Sequence, residues 1–328
     1  MIRMKARLDK NEMPFLPPDV VLNSMKDSIT NLNRYTPQEE VDGLTHLLAE
    51  YNNISPEAIF LSPGSDIIIK EFIFLHSTID QIIIPDPAFI IIENSVEKTP
   101  SSILKVKLSA PNFHFPYDYL ISEIEKPTLI VLDNPNNPTG KLIIDKKGIE
   151  DLLNNDNITL LIDEAYFEFS KYTVIDLIDT YPNLAILRTL SKSFGLAGSG
   201  IGYLIAGEKL RKKFKGLEIM LPYPSVTAAS AALIHRDYIE EYRDLIKREK
   251  QKILKKCDHL NITAYPSSTN FVLINTEIPD IAKSLAERNI LVYDASNYFT
   301  FGFIRVSIGL EKENEYFLET LEKIVQTQ

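Results

Sequence analysis

Four short polar motifs contain the side chains of this sequence that could do chemistry. They are Leu61-Ser-Pro-Gly-Ser-Asp66, Asp133-Asn-Pro-Asn-Asn-Pro-Thr-Gly140, Ile162-Asp-Glu-Ala-Tyr166 and Arg188-Thr-Leu-Ser-Lys-Ser-Phe-Gly195. Each motif begins at the end of an apolar run that is typical of a buried strand. Because the ligands of an open α/β sheet bind beyond the carboxyl ends of its strands, we expect the four motifs to form one site.

The first two motifs predict an anion site and a rigid turn. The amides of Gly64, Ser65 and Asp66 open a predicted helix, where free N–H groups and the helix dipole attract an anion. Taken alone, an ordinary helix start without a ligand is the simpler interpretation of this motif. Two prolines and a glycine fix the turn of the second motif, so its asparagine side chains are held in place.

The other two motifs supply a carboxylate and an amine. Asp163 ends a buried strand, with Tyr166 three residues later, and Lys192 follows another strand. Together with the anion site, these residues suit pyridoxal 5'-phosphate (PLP). Its aldehyde needs an amine to form an imine, and its pyridine nitrogen needs a carboxylate that keeps it protonated. A free lysine, with a pKa of about 10.4, is almost fully protonated at neutral pH, and a cationic neighbourhood removes that obstacle.

The order of the apolar runs predicts a mostly parallel sheet with helices on both faces. Strands are expected at Ala58–Leu61, Gln81–Ile84, Ile103–Leu108, Thr128–Asp133, Thr159–Asp163, Leu184–Arg188 and Ile201–Ala206. Helices are expected at Ser65–His76, Ala88–Glu97 and Asp145–Asn154, the last with Asp145 as its N-cap.

The sequence changes character after Leu221. One long helix is expected from Val226 to about Lys256, rich first in alanine and then in charge. A compact α+β lobe follows, with strands at Phe271–Ile274, Ile290–Tyr293 and Phe303–Ser307, a helix near Ile281–Arg288 and a final helix from about Lys312. The proline-rich segment from Met13 to Pro18 shows neither pattern and is expected to form a surface arm.

Composition and charge exclude several classes of function. The chain has 328 residues, with 35 Lys and Arg against 45 Asp and Glu, a net charge of −10. This acidic balance argues against nucleic acid and anionic membranes as partners. Cys257 is the only cysteine, and the five histidines show no ligand spacing, so no disulfide framework and no metal site are expected. The segment Met1–Lys10 lacks the apolar core of a secretory signal, and a cytoplasmic protein is expected.

The sequence resembles fold-type I PLP-dependent aminotransferases of class I and II, and within them the histidinol-phosphate aminotransferase group. The resemblance spans nearly the whole chain, from Lys10-Asn-Glu-Met-Pro14 and Leu32-Asn-Arg-Tyr35 to Phe303-Ile-Arg-Val-Ser307. Its most specific part is Leu187-Arg-Thr-Leu-Ser-Lys-Ser-Phe-Gly-Leu-Ala-Gly198. The resemblance implies an α/β fold with a large, mixed but mostly parallel sheet sandwiched by helices, and a smaller α+β domain. The expected divisions are an N-terminal arm over residues 1–30 that joins the small domain, a large PLP-binding domain over 31–222 and a small domain over 223–328.

The resemblance also assigns roles to single residues. It implies that Lys192 forms the imine with PLP, that Asp163 pairs with the pyridine nitrogen and that Tyr166 and Asn137 contact the ring hydroxyl. It implies that Phe89 stacks on the ring. The phosphate is then expected to contact Gly64, Ser65, Asp66 and Ser191. Tyr51 matches a tyrosine that reaches the cofactor of the partner subunit, which implies a homodimer, and Arg305 matches the arginine that binds the anionic group of the substrate.

Three positions depart from the family pattern. Gly200 stands where an arginine grips the cofactor phosphate, which predicts weaker retention of PLP. Tyr293 stands where enzymes for histidinol phosphate have a second arginine, and Met13 stands where a polar group from the arm often meets the substrate. A dianionic phosphate facing Arg305 alone would be under-neutralised, whereas a single α-carboxylate suits one arginine.

The expected function is therefore amino transfer between an amino acid such as glutamate and a keto or phosphorylated keto acceptor. Two alternatives are enzymes: a decarboxylase of a (phospho)amino acid, or an amino-acid aminotransferase that does not act on histidinol phosphate. A third is not catalytic: a PLP-binding regulator or a degenerate enzyme, which the loss of the arginine at Gly200 favours. Intact Lys192, Asp163, Asn137 and Tyr166 favour an enzyme.

Overall fold

The computed structural model describes residues 5–215 and 220–327. Its strands are β1 (Ala6–Leu8), β2 (Ile59–Ser62), β3 (Gln81–Asp86), β4 (Ser102–Lys107), β5 (Thr128–Asp133), β6 (Ile158–Asp163), β7 (Leu184–Thr189), β8 (Gly202–Ala206), β9 (Thr263–Tyr265), β10 (Phe271–Asn275), β11 (Ile290–Asp294) and β12 (Phe303–Ser307). Its α-helices are α1 (Asp19–Ser28), α2 (Gln38–Asn52), α3 (Ser65–Leu75), α4 (Ile90–Val96), α5 (Tyr117–Glu123), α6 (Lys146–Leu153), α7 (Phe167–Ser170), α8 (Glu208–Phe214), α9 (Tyr223–Ile234), α10 (Tyr238–His259), α11 (Ile281–Ala286) and α12 (Glu311–Gln326).

The large sheet has the strand order β2-β8-β7-β6-β5-β3-β4. Strands β3 to β7 pair in parallel, and β8 runs antiparallel to both of its neighbours. Alternate residues of β5 enter different cores: Ile130 and Leu132 lie in one cluster, Leu129 and Val131 in another. Both faces of the sheet are therefore covered, which confirms the predicted mixed, mostly parallel sheet between helices.

A second, five-stranded sheet has the order β1-β11-β12-β10-β9. Its strands after residue 262 confirm the predicted α+β lobe, with helices α10 and α12 contributing Ile246 and Phe317 to its core. Strand β1 was not predicted, and it pairs in parallel with β11 through Ala6 and Ile290. The start of the described chain is thereby attached to this small sheet.

The predicted long helix from Val226 to Lys256 is wrong, because the chain breaks at residues 235–237 between α9 and α10. The two helices bury different surfaces. Helix α9 packs its alanines, among them Ala229 and Ala232, into the core of the large sheet. Helix α10 buries Tyr242, Ile246 and Ile253 in the core of the small sheet. One straight helix cannot serve both cores, so packing decides the break.

Helix α9 lies on the large-sheet side although the expected boundary at residue 223 places it in the small domain. The domain boundaries stay a prediction. The predicted N-cap of α6 is confirmed, since the Asp145 carboxylate accepts a hydrogen bond from the amide of Gly148 at 2.8 Å. Among the helices of the described residues, none combines the length and apolar character that a membrane crossing requires.

Candidate active site

A cavity of about 760 Å³ opens beyond the carboxyl ends of the large-sheet strands. It brings together eleven of the residues that the sequence singles out: Gly64, Ser65, Asp66, Phe89, Asn137, Asp163, Tyr166, Ser191, Lys192, Tyr293 and Arg305. The described part of the chain holds no cluster of three or more His, Cys, Asp or Glu side chains placed to bind a metal ion.

The helix region of the cavity, defined here as Gly64–Asp66 with Gly200, is built from backbone. Gly64 precedes α3 with a φ of 105°, a conformation that side-chain-bearing residues rarely adopt, and no side chain caps the helix. The start of β8 approaches this turn so closely that a Cβ on Gly202 would lie 2.7 Å from the carbonyl carbon of Gly64. The free N–H groups at the start of α3 thus remain available for an anion.

Asp133, the last residue of β5, positions two of the predicted side chains. One carboxylate oxygen accepts hydrogen bonds from the amides of Asn137 at 2.8 Å and Phe89 at 3.1 Å. The other accepts from the side chain of Asn136 at 2.9 Å. Sequence reasoning assigned Asp133 no role. The one sequence feature that could have indicated a role for Asp133 was its place at the end of a buried strand.

Asp163 ends the neighbouring strand β6 and is 4% exposed. One of its oxygens accepts from the amide of Ala165 at 3.0 Å. Burial raises the pKa of this carboxyl to about 7, the charge of Asp66 adds to the rise, and Lys192 opposes it. The group is therefore only partly ionised at neutral pH until a positive charge lies beside it.

Lys192 lies in the loop after β7, and its Nζ donates to the carbonyl of Lys10 at 3.4 Å. Burial lowers the pKa of this amine to about 8, and the nearby charge of Arg305 lowers it further. The neutral amine, which is the form that attacks an aldehyde, is thus far more populated near neutral pH than for an ordinary lysine.

Tyr166 follows Asp163 by three residues and stands at the start of α7. Its hydroxyl oxygen accepts a hydrogen bond from Nδ2 of Asn11 at 2.9 Å. Burial raises the pKa of the phenol to about 12, so it stays protonated at neutral pH. Asn11 was part of a motif behind the family resemblance, but sequence reasoning gave it no role.

The arginine region of the cavity, defined here as Arg305 with Tyr293 and Asp9, contains a buried cation. Arg305 is 6% exposed and donates to Oδ1 of Asn137 at 2.6 Å and to the carbonyl of Asp9. Its Nε has no partner among the described residues, and no carboxylate in that part of the chain forms an ion pair with it. The Tyr293 ring lies 4.4 Å from the guanidinium carbon. The charge of Asp9 acts on this cation from beyond ion-pair distance, and an anionic ligand would supply a direct counter-ion.

Two predicted residues do not line the cavity. Met13 packs against Gly195 and the core of the small sheet, so the structure does not bring it to the arginine region. Tyr51 lies on α2, where its hydroxyl donates to Glu168 at 3.3 Å and its ring packs on Phe194. A role of Tyr51 in this chain's own cavity is not supported.

Comparisons with known proteins agree with this geometry. The family model "Aminotransferase class I and II" matches residues 3–321. This chain belongs to the aminotransferase class I and II family. A histidinol-phosphate aminotransferase of Sulfurisphaera tokodaii is 32% identical to this aminotransferase, over 98% of the chain and 90% of the relative.

Solved structures share the fold. The histidinol-phosphate aminotransferase of Clostridium acetobutylicum superposes with a TM-score of 0.88 at 26% identity, covering 98% of this chain and 100% of that one. The enzyme of Sinorhizobium meliloti, solved in complex with PLP, has a TM-score of 0.87 at 22% identity, covering 99% and 91%. PLP, the ligand of the Sinorhizobium meliloti enzyme, is the cofactor to compare with the cavity of this aminotransferase.

The residues of the cavity fit that cofactor. Lys192 offers an amine of lowered pKa, Asp163 a buried carboxyl with one described hydrogen bond, and α3 a backbone anion cradle. When bound, PLP supplies an electron sink for bonds broken at the carbon next to the amine. Which of these side chains contact it stays a prediction.

Proposed function

We propose that this aminotransferase moves an amino group between L-glutamate and a keto acid, with Arg305 binding the α-carboxylate. The observation that carries the proposal is the uncompensated guanidinium of Arg305 in the cavity that also contains Lys192 and Asp163. A substrate carboxylate placed there can form charge-assisted hydrogen bonds, with Nε as one free donor. It would then be oriented in the cavity that contains the lysine amine.

Each side chain has one task in this proposal. Arg305 orients the substrate, and Asn137 holds the guanidinium through Oδ1. The Lys192 amine moves a proton to and from the reacting carbon as general base and acid, for which its lowered pKa suits it. Asp163 keeps the cofactor nitrogen protonated, and the buried walls around Tyr166 exclude water.

Histidinol phosphate is the second candidate substrate, because the named relatives act on it. Its dianionic phosphate would meet Arg305, while Tyr293 offers a ring and a neutral hydroxyl in place of a second cation. The structure therefore favours a substrate with one negative charge at this position. Decarboxylation of a (phospho)amino acid is the third candidate reaction. The bond that breaks is the one held perpendicular to the cofactor ring, and the side chains of the cavity alone do not set that orientation.

The proposal extends to assembly and compartment. We propose a homodimer in which Tyr51 reaches the cavity of the partner, because this residue lies outside the cavity of its own chain. We also propose the cytoplasm as the compartment, where the buried thiol of Cys257 stays reduced.

An absorption spectrum of the PLP-loaded protein tests the proposal. Adding L-glutamate should remove the visible band and release one equivalent of 2-oxoglutarate per site. Lys192→Ala should abolish turnover. Arg248→Ala, which changes an exposed side chain of α10, is the control. Retained turnover in Lys192→Ala would contradict the assigned chemistry, and release of carbon dioxide from an amino acid would favour a decarboxylase.

A further inference from the structure

Three consecutive residues of the N-terminal arm each bind one functional side chain of the cavity. The carbonyl of Asp9 accepts from Arg305, and the carbonyl of Lys10 accepts from Lys192 at 3.4 Å. The third contact differs in kind, because Asn11 uses its side chain to donate to Tyr166. Main-chain contacts form with any residue in the arm, whereas this one depends on an asparagine.

The side chain of Asn11 is held in one orientation. Asn11 is 2% exposed and has a φ of 55°. Its amide N–H donates to Oγ of Ser307 at 2.8 Å, and the Ser307 hydroxyl donates back to Oδ1 of Asn11 at 2.7 Å. Since Oδ1 is engaged there, the Nδ2 donor faces Tyr166.

This orientation decides where the phenol proton of Tyr166 points. An NH₂ group can only donate, so the Tyr166 oxygen accepts from Asn11 and its own proton remains free. Tyr166 lines the cavity and is otherwise buried, so the open direction for that proton is the cavity.

We propose that Asn11 is a positioning residue that turns the hydroxyl proton of Tyr166 into the cavity, where it is donated to the ring oxygen of bound PLP. The inference rests on the proposed function. It assigns to the arm a chemical task beyond holding the chain in place. The main chain of Asn11 already anchors the arm. Its N–H donates to Ser307, and its carbonyl accepts from the side chain of Asn270 at 3.1 Å.

The test is a pH titration of the visible band of the PLP-loaded protein. A hydrogen bond to an anionic ring oxygen stabilises the deprotonated chromophore, so losing a fixed donor raises the chromophore pKa. Asn11→Gly tolerates the positive φ, keeps both main-chain bonds and removes the amide. We expect the pKa of the band to rise by about half a unit to one unit, the usual size for one hydrogen bond.

Asn11→Asp is the second variant, and its size matches asparagine. It places an acceptor opposite the phenol, which then donates to the arm, and we expect a larger rise. The new charge of the aspartate also acts directly on the chromophore. Both substitutions are therefore repeated in a Tyr166→Phe background. Any shift of the chromophore pKa that Asn11 exerts through the Tyr166 hydroxyl should be absent there. The nearby charges of Arg305, Asp163 and Asp133 are unchanged in every variant.

Asn261→Gly is the matched control, because Asn261 also has a φ of 55°, is exposed and does not line the cavity. It should leave the titration unchanged. Equal shifts with and without the Tyr166 hydroxyl, or shifts below about 0.2 unit in both Asn11 variants, would overturn the inference. Absence of any visible band in the unsubstituted protein would instead overturn the proposed function, so the two failures are distinguishable.

Discussion

The helix region and the arginine region of the cavity both suit anions, but by different physical means. The helix region offers backbone N–H groups at the start of α3, and position 200 beside it is a glycine. The arginine region offers a full charge, buried and held by Asn137 and the arm. The first is a neutral, rigid cradle, and the second is a cation that lacks a counter-ion.

The difference indicates how strongly each region responds to its ligand. Backbone donors are pre-organised and already solvated in part, so an anion that binds them gains only a modest binding free energy. A buried guanidinium without a counter-ion is costly, and an anion beside it relieves that cost. We therefore expect substitutions in the arginine region to have larger effects on turnover than substitutions in the helix region have on cofactor binding.

The largest effect is expected for Arg305→Gln. Loss of one partner from a buried, charge-assisted pair costs about 3 kcal/mol, which corresponds to a fall in kcat/KM of about 100-fold. The affinity for PLP should change by less than about threefold, because the helix region is untouched. Steady-state kinetics with L-glutamate and equilibrium dialysis with PLP measure the two quantities. If Arg305→Gln lowered the affinity for PLP as strongly as it lowers kcat/KM, the two regions would not act separately.

The next effect is a pH dependence of PLP uptake by the apo protein. The Lys192 amine has a pKa of about 8, so its neutral fraction levels off only above about pH 9 and falls about tenfold per unit well below pH 8. Asp163 loses its charge below about pH 7, which steepens the fall. Stopped-flow absorbance between pH 6 and 9 measures the rate.

Arg305→Gln sharpens this second prediction. Burial is the main cause of the lowered pKa of Lys192, and the charge of Arg305 is the next. Removing that charge should move the inflection to higher pH. An unchanged inflection would mean that the arginine region does not influence the lysine.

The smallest effect is expected for Gly200→Arg. A Cβ at this position fits without a clash, since its nearest neighbours, backbone atoms of Pro63, lie 3.9 Å away at ordinary contact distance. A new charge-assisted contact contributes about 2 kcal/mol, and ordering the arginine side chain when PLP binds costs about 1 kcal/mol. The φ of 63° destabilises the free and the PLP-bound protein alike, so it does not change the affinity. PLP should therefore bind about fivefold more tightly, as fluorescence titration can show. Gly200→Gln bears the same backbone cost without the charge, and equal affinity in the two variants would contradict the prediction.

The large sheet could be predicted from sequence because strands buried on both faces leave uninterrupted apolar runs, such as Thr128–Asp133. Strand β1 could not, since three residues are too short for a pattern. The break between α9 and α10 was hidden because both segments are helical, and only the core each packs against separates them.

The cavity side chains that lie within motifs were predicted, and the structure gathers them. The bonds that orient them were not. The contact between Asn11 and Tyr166 spans 155 positions of the chain, and that between Asp133 and Phe89 spans 44. Such pairings depend on how elements meet in space, which a residue pattern along the chain does not encode.

The reversed direction of strand β8 decides where Gly200 lies. Its register pairs Thr189 with Gly202, so the chain leaves β7 and returns beside it at the same edge of the sheet. One short connection can therefore present both Lys192 and Gly200 to the same ligand. A parallel β8 would have left Gly200 about 17 Å away, at the opposite edge of the sheet. The reversal of β8 therefore places two parts of the cavity on one connection.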